Sequence, residues 1–277
     1  VTPEELIGRF RRDRWLQHQT LFARRHPAEP SPAHPEIVAD FWSSAPELVT
    51  MGFRGLAKST FLEEGVVIGA GERIFRNCLI IGASEARAED RIRAIGRELL
   101  MNEEFLALYG EQKGPEWTQQ KLVTTTERAI QGLGRGQDIR GIKFLDWRPD
   151  WIVVDDFEDP QNMLSPEGRE HMMEWFLAEL LPVCDPGARV RVYGTPMAAD
   201  SVPMRLMREG WPGKSFPILY KDAQGDEQPI WPARYPMEWI LRRRRDYVAL
   251  GKLPTWNREY MCDTESEGGQ TFKSEYF

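Results

Sequence analysis

GFRGLAKST, residues 52–60, follows the strand-like run Glu47–Gly52 and opens a helix expected from Lys58. It follows the phosphate-loop pattern G-x-x-x-x-G-K-[ST], with Gly52, Lys58 and Ser59 in register and Ala57 where the second glycine belongs. Backbone N–H groups of such a loop, together with a helix N-terminus, face the phosphates of a nucleotide, and the helix dipole favours the same negative charge. The expected binding stretch is Gly52, Phe53, Arg54, Gly55, Leu56, Ala57, Lys58, Ser59 and Thr60. Lys58 would reach the β- and γ-phosphates and Ser59 would give its hydroxyl to Mg²⁺. Arg54, inside the loop, could reach the γ-phosphate, and Gly55 could supply backbone freedom lost at Ala57. A glycine-rich turn with an exposed lysine is the alternative for this stretch alone.

The second anchor is WIVVDDFED, residues 151–159. Four apolar residues run into two carboxylates, the pattern of the strand that supplies the Mg²⁺ ligand in nucleotide hydrolases of this kind. Asp155 is expected to hold the metal and Asp156 to polarise the attacking water. Glu158, longer and two residues on, is the competing base. Alone, the segment also reads as an acidic turn before a helix.

Between and around these anchors, strands alternate with helices. Asn77–Gly82 reads as a buried strand, Ser84 as the cap of a helix to about Asn102, and Arg189–Tyr193 as a strand after a helix over Pro166–Leu181. Lys121–Thr126 and Ala129–Gly136 also read as strands, and Ser215–Leu219 as the last one. Short continuous apolar runs predict a mostly parallel central sheet, covered by helices on both faces. Ligands of such sheets sit at the carboxyl ends of the strands, where both motifs fall. The expected fold is an α/β P-loop NTPase of the additional-strand, RecA-like type. Residues 4–26 have roughly helical apolar spacing, and HPAEPSPAHP, residues 26–35, reads as a linker or extended arm, because its prolines fix φ and remove donors.

YGTPM, residues 193–197, ends a strand, and Thr195 is placed to sense a γ-phosphate. GRGQDIRG, residues 134–141, is a loop whose Arg140 could stabilise transition-state charge in its own site or a neighbour's. The run Arg242–Arg245 lies in a helix expected over Met237–Leu250. It reads as DNA-phosphate contacts or, slightly favoured, as a solvated face, since a period of 3.6 turns only some of the four one way. The basic stretch with Arg9, Arg11, Arg12 and Arg14 has the same two readings.

Composition narrows the class. Over 277 residues, 41% are hydrophobic and ten are Trp, which supports a real core and excludes global disorder. A net charge of -7 argues against a uniformly basic nucleic-acid coat. Three distant cysteines without C-x-x-C spacing predict neither disulfide framework nor zinc site. The four histidines have no metal-ligand spacing, no Ser/His/Asp or Cys/His triad is legible, and no apolar run is long enough to span a bilayer.

Taken together, GFRGLAKST, the IRG before RPDWIVVDDFED, YGTPM and the late WNREYMCD segment (residues 256–263) resemble the large terminase subunits of tailed bacteriophages, the motors that package DNA into capsids. The resemblance runs from about His34 to the C-terminus. It implies a terminase-like ATPase domain over residues 34–263, preceded by an N-terminal helical arm and Pro-rich linker (1–33). It implies ATP and Mg²⁺ as cofactors, with Lys58, Ser59, Asp155 and Asp156 in the roles above. Arg54 matches the loop arginine of the family, Thr195 the motif coupling hydrolysis to movement, and Arg140 the Arg-Gly pair from which a trans-acting finger is thought to come. Where the family carries its adenine-binding segment, His34-Pro35-Glu36 stands here. The implied partners are double-stranded DNA, a portal protein, a small terminase subunit and further copies in a ring, expected as a pentamer. The implied setting is the host cytoplasm, with no membrane. Residues 264–277 read as the start of a linker to an absent C-terminal nuclease domain, so nuclease activity is not expected of this chain. The alternatives are another P-loop NTPase of the helicase-like class acting on nucleic acid, and a non-enzymatic nucleotide-binding module. The paired Asp155–Asp156 argues against the last.

Overall fold

A computed structural model describes residues 2–159 and 162–264. In chain order the elements are α1 (Pro3–Arg12), α2 (Arg14–Leu21), α3 (Ala33–Trp42), β1 (Glu47–Gly52), α4 (Lys58–Gly71), β2 (Asn77–Gly82), α5 (Glu85–Met101), α6 (Glu103–Tyr109), β3 (Lys113–Trp117), β4 (Lys121–Thr124), β5 (Ala129–Gly134) and β6 (Trp151–Asp155). Then follow α7 (Pro166–Trp175), a π-helical turn (Phe176–Leu180), α8 (Leu181–Val183), β7 (Arg189–Gly194), α9 (Val202–Arg208), β8 (Gly213–Phe216), the hairpin β9 (Leu219–Lys221) and β10 (Glu227–Pro229), α10 (Met237–Ala249) and α11 (Leu253–Met261).

Eight strands form one sheet in the order β3-β4-β5-β2-β6-β7-β1-β8. From β5 to β8 all neighbours are parallel. β3 and β4 add an antiparallel edge. β7 lies between the loop strand β1 and the acidic strand β6, so the expected additional strand is present. Alternate side chains of each strand enter opposite layers, as the period of two requires. Ile80 of β2 and Val153 of β6 face the layer that holds Phe61, Val66 and Ile92. Ile81 and Val154 face the layer that holds Met172, Phe176 and Leu206. The sheet is thus sandwiched, and its strands read as unbroken apolar runs because neither face meets water.

The helical stretch 4–26 is divided into α1 and α2. Asp13 turns its carboxylate onto the Leu16 N–H (2.9 Å) and starts α2, since a short acidic side chain competes for backbone donors and favours a cap over a helix interior. α1 and α2 lie against the body of the domain, with Phe10, Leu21 and Phe22 buried in the same apolar layer as α4. Glu72, at the end of α4, takes Arg14 (2.9 Å), Arg11 (3.2 Å) and Gln17 (2.8 Å). Glu64 is fully buried between His18 Nδ1 (3.0 Å) and His26 Nε2 (2.9 Å). The Pro-rich segment is anchored through Ser31, whose hydroxyl donates to Ile230 O and whose N–H donates to His34 Nδ1 (3.1 Å). On β7, the wholly buried Arg191 donates to Phe41 O (3.1 Å) and Ser43 O (2.5 Å) at the C-terminus of α3, where a cation meets the negative end of the helix dipole. Of residues 264–277, expected as the start of a linker, all but Thr264 lie outside the described residues. No described helix is long and apolar enough to cross a membrane.

Candidate nucleotide site

The register brings four strand ends to one edge. Gly82 pairs with Asp155, Asp155 with Tyr193, and Met51 with Gly194. The connections leaving β1, β2, β6 and β7 therefore surround one cleft of about 460 Å³, lined by Arg54, Arg91, Asp155, Asp156, Glu158 and Thr195 among others.

The loop after β1 needs two left-handed positions. Gly55 takes φ +100° and Ala57 takes φ 69° immediately before α4. Gly55 does not relieve Ala57. The alanine itself adopts the conformation that glycine would enter freely, at a cost of roughly 1–2 kcal/mol. Gly52 is required for another reason, because a Cβ there would meet Leu56 Cδ2 at 2.7 Å. Lys58 is buried, and its ammonium is folded into the loop, donating to Gly52 O (2.8 Å), Phe53 O (3.2 Å) and Thr195 Oγ1 (3.2 Å). Thr195 in turn donates to Gly52 O (3.0 Å). The loop lysine and the YGTPM turn are thus hydrogen-bonded across 137 residues of chain.

Ser59 and Asp155 also converge: the serine hydroxyl donates to Asp155 Oδ1 at 3.0 Å. Oδ2 of the same carboxylate takes Arg91 Nε at 2.7 Å. Burial and the neighbouring charge of Asp156 push the Asp155 carboxyl up to about 6, against the opposing pull of Arg91. Asp156 is exposed, with φ 43°, and its Oδ1 accepts the Thr195 N–H at 3.0 Å. That bond and the left-handed backbone turn its carboxylate toward the β7 turn rather than along β6. Glu158 lines the cleft too, but its Oε1 accepts the Val202 N–H (2.7 Å) at the first turn of α9. Burial pushes its carboxyl up to about 7. Arg54 lines the cleft, mostly exposed, with its Nε 3.0 Å from Glu259 of α11.

Arg140 does not line the cleft. It lies on the surface in a two-pronged pair with Glu179, Nε to Oε2 at 2.9 Å and Nη2 to Oε1 at 2.6 Å. The run Arg242–Arg245 splits: Arg243 lies 5.6 Å from the Tyr247 ring, while Arg242 and Arg245 share the exposed face with Glu238 and Asp246.

Arg91, with Arg87 beside it, lines the cleft and was missed by the sequence reading. Its Nη1 also takes Glu63 Oε1 of α4 at 2.8 Å, so it joins α4, α5 and β6. Its signal was the spacing Arg87–Arg91, one turn apart on a helix that follows a strand end, which puts both along the cleft. Beside the loop a second cavity of about 270 Å³ is lined by His26, Pro27, His34, Ala57, Thr60 and Trp231. The His34 ring meets Trp231 edge-on at 4.4 Å, and burial pulls its pKa down to about 4, so it is neutral.

An additional-strand P-loop sheet carrying this loop, hydroxyl and acidic strand end defines the chain as an α/β domain of the P-loop NTPase type. Its fold is that of phage large terminase ATPase domains. It is similar to the large terminase ATPase domain of Thermus phage P74-26, solved as a mutant, with a TM-score of 0.56, 14% identity, and 84% of this chain and 98% of that one covered. It is also similar to the large terminase of bacteriophage HK97, with a TM-score of 0.55, 10% identity, and 89% of this chain covered. The chain spans about half, 53%, of the length of that second protein. At these identities the likeness is one of fold. No protein-family model and no curated protein matches the sequence.

Proposed function

We propose that the chain is the ATPase motor domain of a phage large terminase, hydrolysing ATP to translocate double-stranded DNA into a procapsid. The observation that carries the reading is the meeting of Ser59 with Asp155 at 3.0 Å, across 96 residues, beside a loop lysine already bonded to the Thr195 turn. A hydroxyl and a carboxylate are hard oxygen donors of the type that Mg²⁺ selects, so these residues fit that ion. Bound there, Mg²⁺ would neutralise charge developing on the β- and γ-phosphates.

The remaining roles fall to the chain's own groups. Lys58 exchanges its loop carbonyls for phosphate oxygens, and the loop N–H groups and the N-terminus of α4 hold the same anion. Asp156, oriented by the Thr195 N–H, accepts the hydrogen bond of the attacking water. Glu158 is the weaker candidate for that role because one oxygen already holds α9. Thr195 touches both Lys58 and the carbonyl of Gly52, so displacement of the lysine by phosphate is felt by the turn after β7. The base of the nucleotide lies against the His34–Trp231 cavity. Arg54 serves its own cleft, whereas Arg140, being outside it, serves a neighbouring copy in the ring. The portal and small subunit are the other partners of this reading.

The test is Mg²⁺-dependent ATP turnover. Lys58→Ala is expected to lose both nucleotide binding and hydrolysis. Asp156→Asn is expected to keep binding while hydrolysis falls by about 10²–10⁴-fold, the range of a positioned base. Unchanged turnover in Lys58→Ala would sink the assignment.

A further inference from the structure

The cleft uses the carboxyl ends of the strands, and the opposite end carries a second charged feature. Strands β5, β2, β6 and β7 are consecutive neighbours. Arg128 stands immediately before β5, Arg73 and Arg76 just before β2, Arg148 just before β6, and Arg189 begins β7. The Ala129 N–H donates to Arg76 O (3.0 Å) and the Arg189 N–H to Asp150 O (3.1 Å), which places these positions side by side. At about 4.8 Å between strands, the arginines form a row on the order of 15 Å long.

Several arginines of the domain are ion-paired, among them Arg11, Arg14, Arg25, Arg54, Arg91 and Arg140. Among the described residues none of these five is. The guanidinium carbon of Arg76 lies over the half-exposed Trp147 ring, 3.5 Å from its centroid. Arg148 donates to Pro182 O (3.1 Å) and Arg128 Nη1 to Glu127 O (3.3 Å). The acids at this end, Asp150, Glu127 and Asp146, offset part of the charge of the row but form no ion pair with it among the described residues. Asp150 accepts the N–H groups of Arg76 and Asn77 at 2.9–3.1 Å, and Glu127 and Asp146 are exposed. The guanidinium of Arg128 is held below its usual range by burial and by the charges of Arg73 and Arg76. In a chain of net charge -7, unpaired like charges gathered at one edge are a local cost that an anion would relieve.

We propose that this row is a binding surface for the phosphate backbone of a nucleic acid. It deepens the reading above, naming where the polymer is gripped, on the side of the sheet away from the nucleotide. The row is built from guanidinium groups only, which fork onto phosphate oxygens. Its backbone positions follow the strand order, and the length they span covers several phosphates of a strand that carries one per about 3.4 Å of helix axis. Contacts of this kind grip without reading sequence.

The experiment measures binding of a duplex DNA fragment to the full chain as a function of salt. Arg73→Gln and Arg148→Gln singly are each expected to lower the slope of log K against log salt by about one. The triple variant with Arg128→Gln is expected to bind at least about tenfold more weakly at low salt, while ATP turnover without DNA stays as in the parent. Unchanged affinity and slope in the folded triple variant would overturn the proposal. As Arg128 is partly buried, the unaltered protein supplies a second readout: duplex DNA is expected to shield these arginines from phenylglyoxal, mapped by mass spectrometry. Absence of shielding, or equal shielding by an acidic polypeptide, overturns it as well. A normal salt slope in a chain that turns over no ATP would remove the motor reading and leave this surface standing.

Discussion

At the residue scale, two of the six described non-glycine residues with left-handed backbone stand at the candidate site. Ala57 holds a left-handed backbone that its Cβ disfavours, and Asp156 does the same at φ 43°. Such positions persist only where surrounding structure over-determines them. Here the constraints are the first turn of α4 for Ala57 and the Thr195 hydrogen bond for Asp156. Glu158 gives a pH signature. Its carboxyl is raised from 4.5 to about 7, so the folded state favours the protonated form. The resulting stability is full below about pH 4.5 and is lost as pH rises through about 7. Glu158→Gln keeps an acceptor for the Val202 N–H and removes the titration. The parent is therefore expected to lose roughly 2–4 kcal/mol more than the variant between pH 4.5 and pH 8, measured by urea unfolding. Parallel pH dependences would show that Glu158 does not titrate in this window.

At the element scale, the sequence located the strands well where both faces are buried. β2 and β6 coincide with NCLIIG and WIVVD because a run apolar on both sides has one comfortable place, the middle of a covered sheet. It read the edges less well. β3 (KGPEW) has an exposed, polar pattern, and its pairing with β4 follows from an antiparallel return that no local signal announces. The break at Asp13 and the π-helical turn inside the helix expected over Pro166–Leu181 were likewise hidden, since helical spacing tolerates one extra residue. α1 and α2 give an element-scale prediction. Phe10, Leu21 and Phe22 are nearly solvent-free, and each is worth about 2 kcal/mol of burial. Removing residues 1–26 also strips His18 and His26 from the buried Glu64. Such a truncation is expected to destabilise the domain by at least about 5 kcal/mol, seen as a large drop in thermal midpoint. A midpoint within a few degrees of the parent would show these helices to be dispensable.

At the scale of the whole molecule, the sheet order decides what meets what. With β7 between β6 and β1, the turn after β7 reaches both the loop lysine and Asp156, and a plain order-of-sequence sheet would separate them. Arg140 sits on the outside in a pair with Glu179, so its use by a second copy is a matter of assembly. If it serves a neighbour, Arg140→Ala and Asp156→Asn proteins are each inactive in the assembled ring, and mixing them restores part of the turnover. No recovery in mixed rings would place the arginine in its own site or outside the reaction. The sequence by itself determined the phosphate loop, the acidic strand and the class of sheet, because these depend on residues adjacent in the chain and on the period of burial. Only the tertiary structure decided that Arg91 joins Asp155, that Glu158 is tied to α9, and that five arginines line one edge. Those contacts are set by strand order and register, which bring together residues far apart in sequence.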